Sequence, residues 1–256
     1  MPLLNVSAIP AFADNYIWLI HTGETGCAVV DPGDAAPVKQ ALRTSGRTLR
    51  YILLTHHHPD HIGGMAELKR QSGATVIGPE DDRIDGIDQV VREGDTAHLP
   101  DLDIDFKVLE VPGHTATHIV FTGHGSLFCG DTLFSVGCGR LFEGTAEQMQ
   151  ASLDKLAALP PETRIYCGHE YTLSNCLFAR EVEPDNADLQ RKTEQVEAQR
   201  AAGQITLPGL LSEELQVNPF LRSRADSVVR AAQMRDASAV PGASTLAVIR
   251  QWKDSC

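Results

Sequence analysis

Four side chains able to hold a metal ion fall within six consecutive positions of this chain: His56, His58, Asp60 and His61, in the string Thr55-His56-His57-His58-Pro59-Asp60-His61. The apolar run Tyr51 to Leu54 leads directly into them and reads as a strand. Along an extended chain, residues two apart point the same way, so His56 and His58 converge on one ion while His57 points elsewhere. Asp60 and His61 then sit where the chain turns into a helix, placed to reach a second ion nearby, and Gly63 and Gly64 keep side-chain bulk out of that turn. Three later positions repeat one local design, an apolar strand ending in Gly and then a potential ligand: Val111-Pro112-Gly113-His114, Leu127-Phe128-Cys129-Gly130-Asp131 and Tyr166-Cys167-Gly168-His169. Glycine tolerates the backbone angles that redirect a chain sharply, so each ligand can be presented from a rigid strand end. Mixed imidazole and carboxylate donors suit Zn, Fe or Mn, and the lack of paired cysteines excludes a structural zinc ribbon.

Isolated His residues carry less meaning. His21, His98, His118 and His124 read as surface or capping residues. Asp31, in Val30-Asp31-Pro32-Gly33-Asp34, reads as part of a turn built on Asp-Pro-Gly.

The elements that must position these ligands are short. Strands are expected at Tyr16 to Ile20, Cys27 to Val30, Tyr51 to Leu54, Thr75 to Ile77, along the alternation Leu102, Ile104, Phe106, Val108, and at His118 to Phe121, Leu127 to Cys129 and Ile165 to Cys167. Helical spacing covers Ala36 to Ser45 and His61 to Ser72. Strands interleaved with helices and with runs of consecutive strands favour sheets covered by helices. After about Thr172 the texture changes to helix formers and charge, at Asn186 to Ala202 and from Ala225 onward, broken by Gly203, Pro208, Gly209 and Pro219. Gly242 to Lys253 reads as a helix with Leu246 and Ile249 facing the core and Arg250 and Lys253 on neighbouring turns.

With 256 residues and 42% hydrophobic composition, the chain has the material for a substantial core. A net charge of −12 argues against a nucleic-acid or anionic-membrane surface, although a small anionic substrate could use a local basic patch. Met1 to Ile20 lacks a basic leader and carries Asp14 and Asn15, so it reads as a first strand rather than a signal peptide. No apolar run approaches the roughly 20 residues a bilayer requires. The six cysteines form no CxxC pair and read as thiols in a reducing compartment, Cys129 and Cys167 as buried small hydrophobes. A cytoplasmic protein without nucleic-acid or membrane partners, acting as a monomer, is expected.

The string Thr55 to His61 resembles the THxHxDH motif of the metallo-β-lactamase superfamily. That resemblance implies an α/β (α+β) fold, an αβ/βα sandwich followed by a helical C-terminal domain, with a catalytic domain at 1-172 and a substrate-binding domain at 173-256. It also implies two divalent ions, zinc first with Fe or Mn as alternatives. One would be held by His56, His58 and His114 and the other by Asp60, His61 and His169, with Asp131 bridging. The segment holding Asp31 also resembles one that lies below the site in that superfamily. Asp60 and Asp131 would act in catalysis through the water the ions activate. Further strings are similar to the glyoxalase II (hydroxyacylglutathione hydrolase) family: Asp14-Asn15-Tyr16, Cys138 to Thr145, Gly168 to Asn175, Asn218 to Arg222, and Arg250-Gln251-Trp252-Lys253-Asp254. They imply a glutathione thioester substrate lying along Arg140, Leu141, Phe142, His169, Glu170 and Tyr171, and along Arg250 and Lys253. Some relatives have Lys and Tyr where this chain has Arg140 and Phe142, so a hydroxyl contact at Phe142 cannot form. The reaction implied is hydrolysis of S-lactoylglutathione to glutathione and D-lactate. A persulfide dioxygenase of the same superfamily uses one iron on two His and one Asp; the fuller ligand set and the Arg-x-x-Lys-Asp ending favour the hydrolase. A binding protein on an inherited scaffold would usually have lost ligands, and none is missing.

The parity argument is testable by metal analysis of two variants. Asp131→Ala should lower metal content and abolish turnover, whereas His57→Ala should keep its metal; loss of one equivalent from His57→Ala would put the wrong imidazoles inward.

Overall fold

The structure, a computed structural model, describes residues 4–23 and 25–256 and divides into two compact units. The first comprises residues up to Glu110 together with Thr117–Gly130. Its leading sheet starts from a hairpin, β1 (Asn5–Ala11) against β2 (Asn15–His21), where one first strand was expected; residues 1–3 of that stretch lie outside the described residues. It continues antiparallel to β3 (Gly26–Val30) and then in parallel through β4 (Thr48–Leu53), β5 (Thr75–Gly78) and β6 (Gln89–Val90). Helix α1 (Ala35–Ser45) begins at Asp34, whose carboxylate accepts from the Ala36 N–H at 2.8 Å, and stops at Gly46 with φ 68°. Ile17, Leu19, Val29 and Ile52 of the sheet pack with Val38 of α1 and with Met65 and Leu68 in one apolar cluster. This explains why β2 and β3 are nearly unbroken hydrophobic runs: a sheet covered on both faces leaves no polar alternation to see.

The helix expected over His61 to Ser72 is two: α2 (Pro59–Ile62) and α3 (Met65–Ser72). The break has a packing cause. A Cβ on Gly63 would lie 2.6 Å from the Gly33 carbonyl oxygen, one on Gly64 would lie 2.5 Å from the Ala35 nitrogen, and one on Gly33 would overlap the Asp60 carbonyl. The turn after β3 and the ligand segment after β4 thus meet backbone to backbone.

A second, antiparallel set of strands in this unit runs β10 (Ser126–Gly130), β9 (Ile119–Gly123), β8 (Ile104–Glu110), β7 (Thr96–Leu99). The alternation expected from Leu102 begins only at Ile104, because Pro100–Leu102 form a 3-10 turn.

The second unit comprises Val111–Ala116 and Asp131–Cys256. It contains the hairpin β11 (Leu133–Phe134) with β12 (Gly137–Cys138), the pair β13 (Arg164–Cys167) with β14 (Gly209–Leu210), and helices α4 (Ala146–Ala157), α5 (Thr172–Val182), α6 (Ala187–Ala201), α7 (Leu211–Val217), α8 (Asp226–Gln233) and α9 (Ala243–Asp254). Helix α4 opens with a reciprocal Thr145–Gln148 capping box. Leu246 and Ile249 of α9 are fully buried, as their spacing requires. Val136, in the β11–β12 turn, has φ 57°, a costly angle for a β-branched residue, of order 1–3 kcal/mol. Side chains from the helices hold it there. Glu214, fully buried, accepts from Ser135 Oγ and the Val136 N–H at 2.7 Å each, and Asn218 Nδ2 donates to the Phe134 and Gly137 carbonyls at 3.1 and 3.0 Å. Burial pushes the Glu214 carboxyl up against the pull of these bonds. Glu214→Ala should therefore strand the buried Val136 N–H, costing about 3 kcal/mol, which a denaturant midpoint would register; an unchanged midpoint would show the turn to be self-supporting.

Candidate metal centre and substrate cavity

In the first unit the ligand segment is built on Asp31, whose positive φ of 52° lets its backbone N–H bond the Leu53 carbonyl at 2.9 Å. Its carboxylate accepts from the Thr55 N–H at 2.8 Å, from Thr55 Oγ1 at 2.7 Å, and from His61 Nδ1 at 3.0 Å. The Thr55 hydroxyl donates its single hydrogen to Asp31, so at 3.0 Å from His56 Nδ1 it acts as the acceptor. These contacts suit an Nδ1–H on His56 and on His61, which assigns Nε2 of each ring to the metal side. His56 Nε2 lies 3.1 Å from His58 Nδ1, as the parity argument requires. Asp60 Oδ2 lies 3.5 Å from His61 Nε2 and is held by Asn15 Nδ2 at 2.9 Å. Asp31, His56 and His61 cluster tightly enough to hold an ion among themselves. With three hydrogen bonds already on its carboxylate, Asp31 orients the imidazoles instead. Both readings of its segment thus hold, a turn and a support beneath the site.

His118 departs from expectation. Read as a surface or capping residue, it is fully buried and stacked on His56, with centroids 4.6 Å apart and planes 17° apart. The Ile119 N–H donates to the Thr55 carbonyl at 3.0 Å, and that backbone link lays His118 against His56. Gly130, at φ 47°, passes close by; a Cβ there would lie 2.3 Å from Thr55 Oγ1 and 2.9 Å from His118 Nε2. His57 lies farther from His56, with ring centroids 6.4 Å apart, but packs edge-on against His58 at 4.8 Å, with its Nδ1 3.4 Å from Asp81.

In the second unit, the Asp131 carboxylate oxygen Oδ2 lies 3.5 Å from His114 Nε2 and 3.3 Å from His169 Nε2. His114 donates from Nδ1 to the Arg140 carbonyl at 2.9 Å, and His169 stacks flat on Tyr171 at 4.7 Å. Gly113 has φ 155° and Gly139 has the Asp131 carbonyl oxygen 2.0 Å from where its Cβ would be, so both positions exclude a side chain. Gly168 is not among the glycines with positive φ, so backbone angle explains only the first two of the three strand ends. The donors in both units are imidazole nitrogens and carboxylate oxygens, several of them, His56, His61, His114 and Asp60, fixed by hydrogen bonds to neighbouring groups, and this chemistry suits a divalent metal.

Beside His114 and Asp131 in the second unit lies a cavity of about 470 Å³, walled by Phe134, Cys138, Arg140, Phe142, Tyr171, Ser174, Asn175, Arg250 and Lys253. Arg250 is buried, donating from Nη1 to the Cys138 carbonyl at 2.8 Å and from Nη2 to Asp254 at 3.0 Å; its Nε has no hydrogen-bond partner among the described residues. Lys253 donates to Asn175 Oδ1, and burial, then the Arg250 charge, lowers its pKa to about 8. Arg140 is exposed and 3.5 Å from Asp254. Leu141, His169 and Glu170, expected along the substrate, do not line the cavity. Glu170 instead accepts from the Thr206 N–H at 2.9 Å and from its hydroxyl at 2.5 Å. Ser174 and Asn175 were not anticipated, although Tyr171, Ser174 and Asn175 have the i, i+3, i+4 spacing of one helix face.

Residues 12–169 match the family model of the metallo-beta-lactamase superfamily, and residues 170–256 match that of the hydroxyacylglutathione hydrolase C-terminus. A hydroxyacylglutathione hydrolase from Photobacterium profundum is 53% identical over 254 residues, covering 99% of this chain and all of that one. The chain belongs to the hydroxyacylglutathione hydrolase family. The hydroxyacylglutathione hydrolase fold is shared with structures of lower identity. ETHE1 from Myxococcus xanthus superposes with a TM-score of 0.67 at 24% identity, covering 98% of this chain and 99% of that one. TTHA1623 in a di-iron-bound form gives 0.53 at 29%, covering 64% and 91%. The chain thus has the metallo-β-lactamase fold, α+β with mixed sheets and a helical C-terminal region. No helix among the described residues is long and apolar enough to cross a membrane.

If Asp31 sets the His61 tautomer, Asp31→Ala should weaken metal binding by about 10- to 100-fold in chelator competition; wild-type affinity would mean that Thr55 and His61 need no such support.

Proposed function

We infer that this hydroxyacylglutathione hydrolase cleaves S-(2-hydroxyacyl)glutathione, chiefly S-D-lactoylglutathione, to glutathione and D-lactate, the second step of methylglyoxal detoxification. The observation that carries the substrate is the cavity beside His114 and Asp131, where the Arg250 Nε, without a protein partner among the described residues, and a half-buried Lys253 meet in a chain of net charge −12. Residues 1-172 act as the catalytic domain and 173-256 as the substrate-binding domain, working in the cytoplasm as a monomer.

The residues fit two divalent ions, zinc first and Fe or Mn as alternatives. His56, His58 and His114 would hold one, Asp60, His61 and His169 the other, and Asp131 would serve both. When bound, the ions lower the pKa of water to give a nucleophile near neutral pH and polarise the thioester carbonyl. Neutral imidazoles keep the site's net charge positive. Asp60 and Asp131 orient the attacking water, and thiolate leaves without needing a protein acid. Arg250 and Lys253 grip a glutathione carboxylate away from the scissile bond, with Tyr171, His169 and the Arg140–Phe142 segment along the peptide. Glu170 and Leu141 contribute through their backbone.

Loss of S-lactoylglutathione absorbance on adding metal-loaded protein, abolished by chelation, tests the reaction; a metal-replete protein inert toward the thioester would overturn it. Lys253 tests the substrate. Carboxylate binding needs its charged form, so KM should rise as pH passes about 8 while kcat holds. Lys253→Met should raise KM by about one to two powers of ten at neutral pH, the worth of a charge-assisted bond of ~1.5–3 kcal/mol. A thioester lacking the glutathione carboxylates should be indifferent, and equal loss on both substrates would assign Lys253 to the fold.

A further inference from the structure

The carboxylate of Asp81 is an unusual convergence outside the ligand set. Its side chain is 2% exposed. Oδ1 accepts from the Arg83 N–H at 2.9 Å and from Arg83 Nε at 2.7 Å, and Oδ2 accepts from Arg83 Nη2 at 2.7 Å and from Thr117 Oγ1 at 2.5 Å. His57 Nδ1 stands 3.4 Å from the same Oδ2. Burial alone would raise its pKa, yet the bonds from Arg83 and Thr117 hold it well below the usual carboxylate range.

Two of these partners flank one imidazole. His57 directly follows His56 in the chain, and Thr117 directly precedes His118, whose ring stacks on His56 at 4.6 Å. We propose that Asp81 is a positioning residue for the metal ligand His56, holding Thr117, the residue next to the stacked His118, by a hydrogen bond and packing against His57 on the other side; this rests on the metal-binding reading of the site. An imidazole ligates well only when its lone pair is held on the metal axis, and the Nδ1 bond to Thr55 leaves the ring free to tilt about that contact. The His118 ring, stacked on His56 and steadied through Thr117, limits that tilt, and Arg83 keeps the carboxylate fixed while Thr117 bonds to it.

The variants are Asp81→Asn and the milder Thr117→Val, which removes one hydroxyl and leaves the carboxylate with Arg83. Each is loaded with cobalt(II) as probe, and metal affinity by chelator competition, the visible cobalt spectrum and the melting of metal-free protein are recorded. In Asp81→Asn, the more weakly held equivalent should lose about 10- to 100-fold in affinity while the other stays near wild type, with a shifted cobalt band. Thr117→Val should move the spectrum the same way by less, with metal-free melting near wild type. Spectra and affinities equal to wild type would overturn the proposal. So would parallel weakening of both equivalents together with lower metal-free stability, the pattern of a residue that supports only the fold. If Asp81→Asn does not fold, Thr117→Val decides alone. Wild-type protein that binds no cobalt would sink the metal reading itself, a result distinct from variants that match a cobalt-binding wild type.

Discussion

A histidine can hold a cation only through a nitrogen that carries no proton, and the architecture around the site answers to that constraint. An imidazole in solution exchanges its proton between two nitrogens, so a protein that needs a given nitrogen bare must occupy the other one. Here the occupants come from three different places: the Asp31 carboxylate for His61, the Thr55 hydroxyl for His56, and the Arg140 carbonyl for His114. Asp31 does double duty, because by accepting the Thr55 hydroxyl's hydrogen bond it leaves that oxygen to accept from His56. A single buried carboxylate thus determines the protonation pattern of two rings.

Much of the surrounding backbone exists to bring such groups within hydrogen-bond reach. Gly33 beside Asp60, Gly64 beside Ala35 and Gly130 beside Thr55 each mark an approach that one added carbon would block. These contacts are stiff, since backbone packed on backbone has no rotamer to yield, and stiffness is what a ligand geometry requires.

The cavity of the second unit obeys a different logic. Its basic groups are few, and they compete for one internal anion: Arg140 and Arg250 both lie against Asp254. Arg250 also supports the hairpin through the Cys138 carbonyl, so it is part strut and part binding group. Lys253 is the less committed of the pair, and its lowered pKa records the cost of bringing it close to Arg250 away from water. In this local positive site the Asp254 carboxylate offsets part of the mutual repulsion, as both arginines lie against it.

Local pattern alone determined a good deal here. Strand parity separated His56 and His58 from His57, Gly-terminated strands marked His114, Asp131 and His169, and helical spacing in α9 turned Leu246 and Ile249 inward. These are properties of neighbours in the chain, which periodicity records. Tertiary structure decided the rest. Nothing near His118 in sequence announces a partner so far back in the chain, yet the Ile119–Thr55 backbone bond buries it against His56. Glu170, adjacent to His169, turns to Thr206, and the helix over His61 to Ser72 is interrupted at Gly63 and Gly64, where the chain packs backbone to backbone on Gly33 and Ala35. Long-range contacts of this kind depend on which surfaces meet once the sheets are assembled, and a one-dimensional pattern carries no record of that meeting.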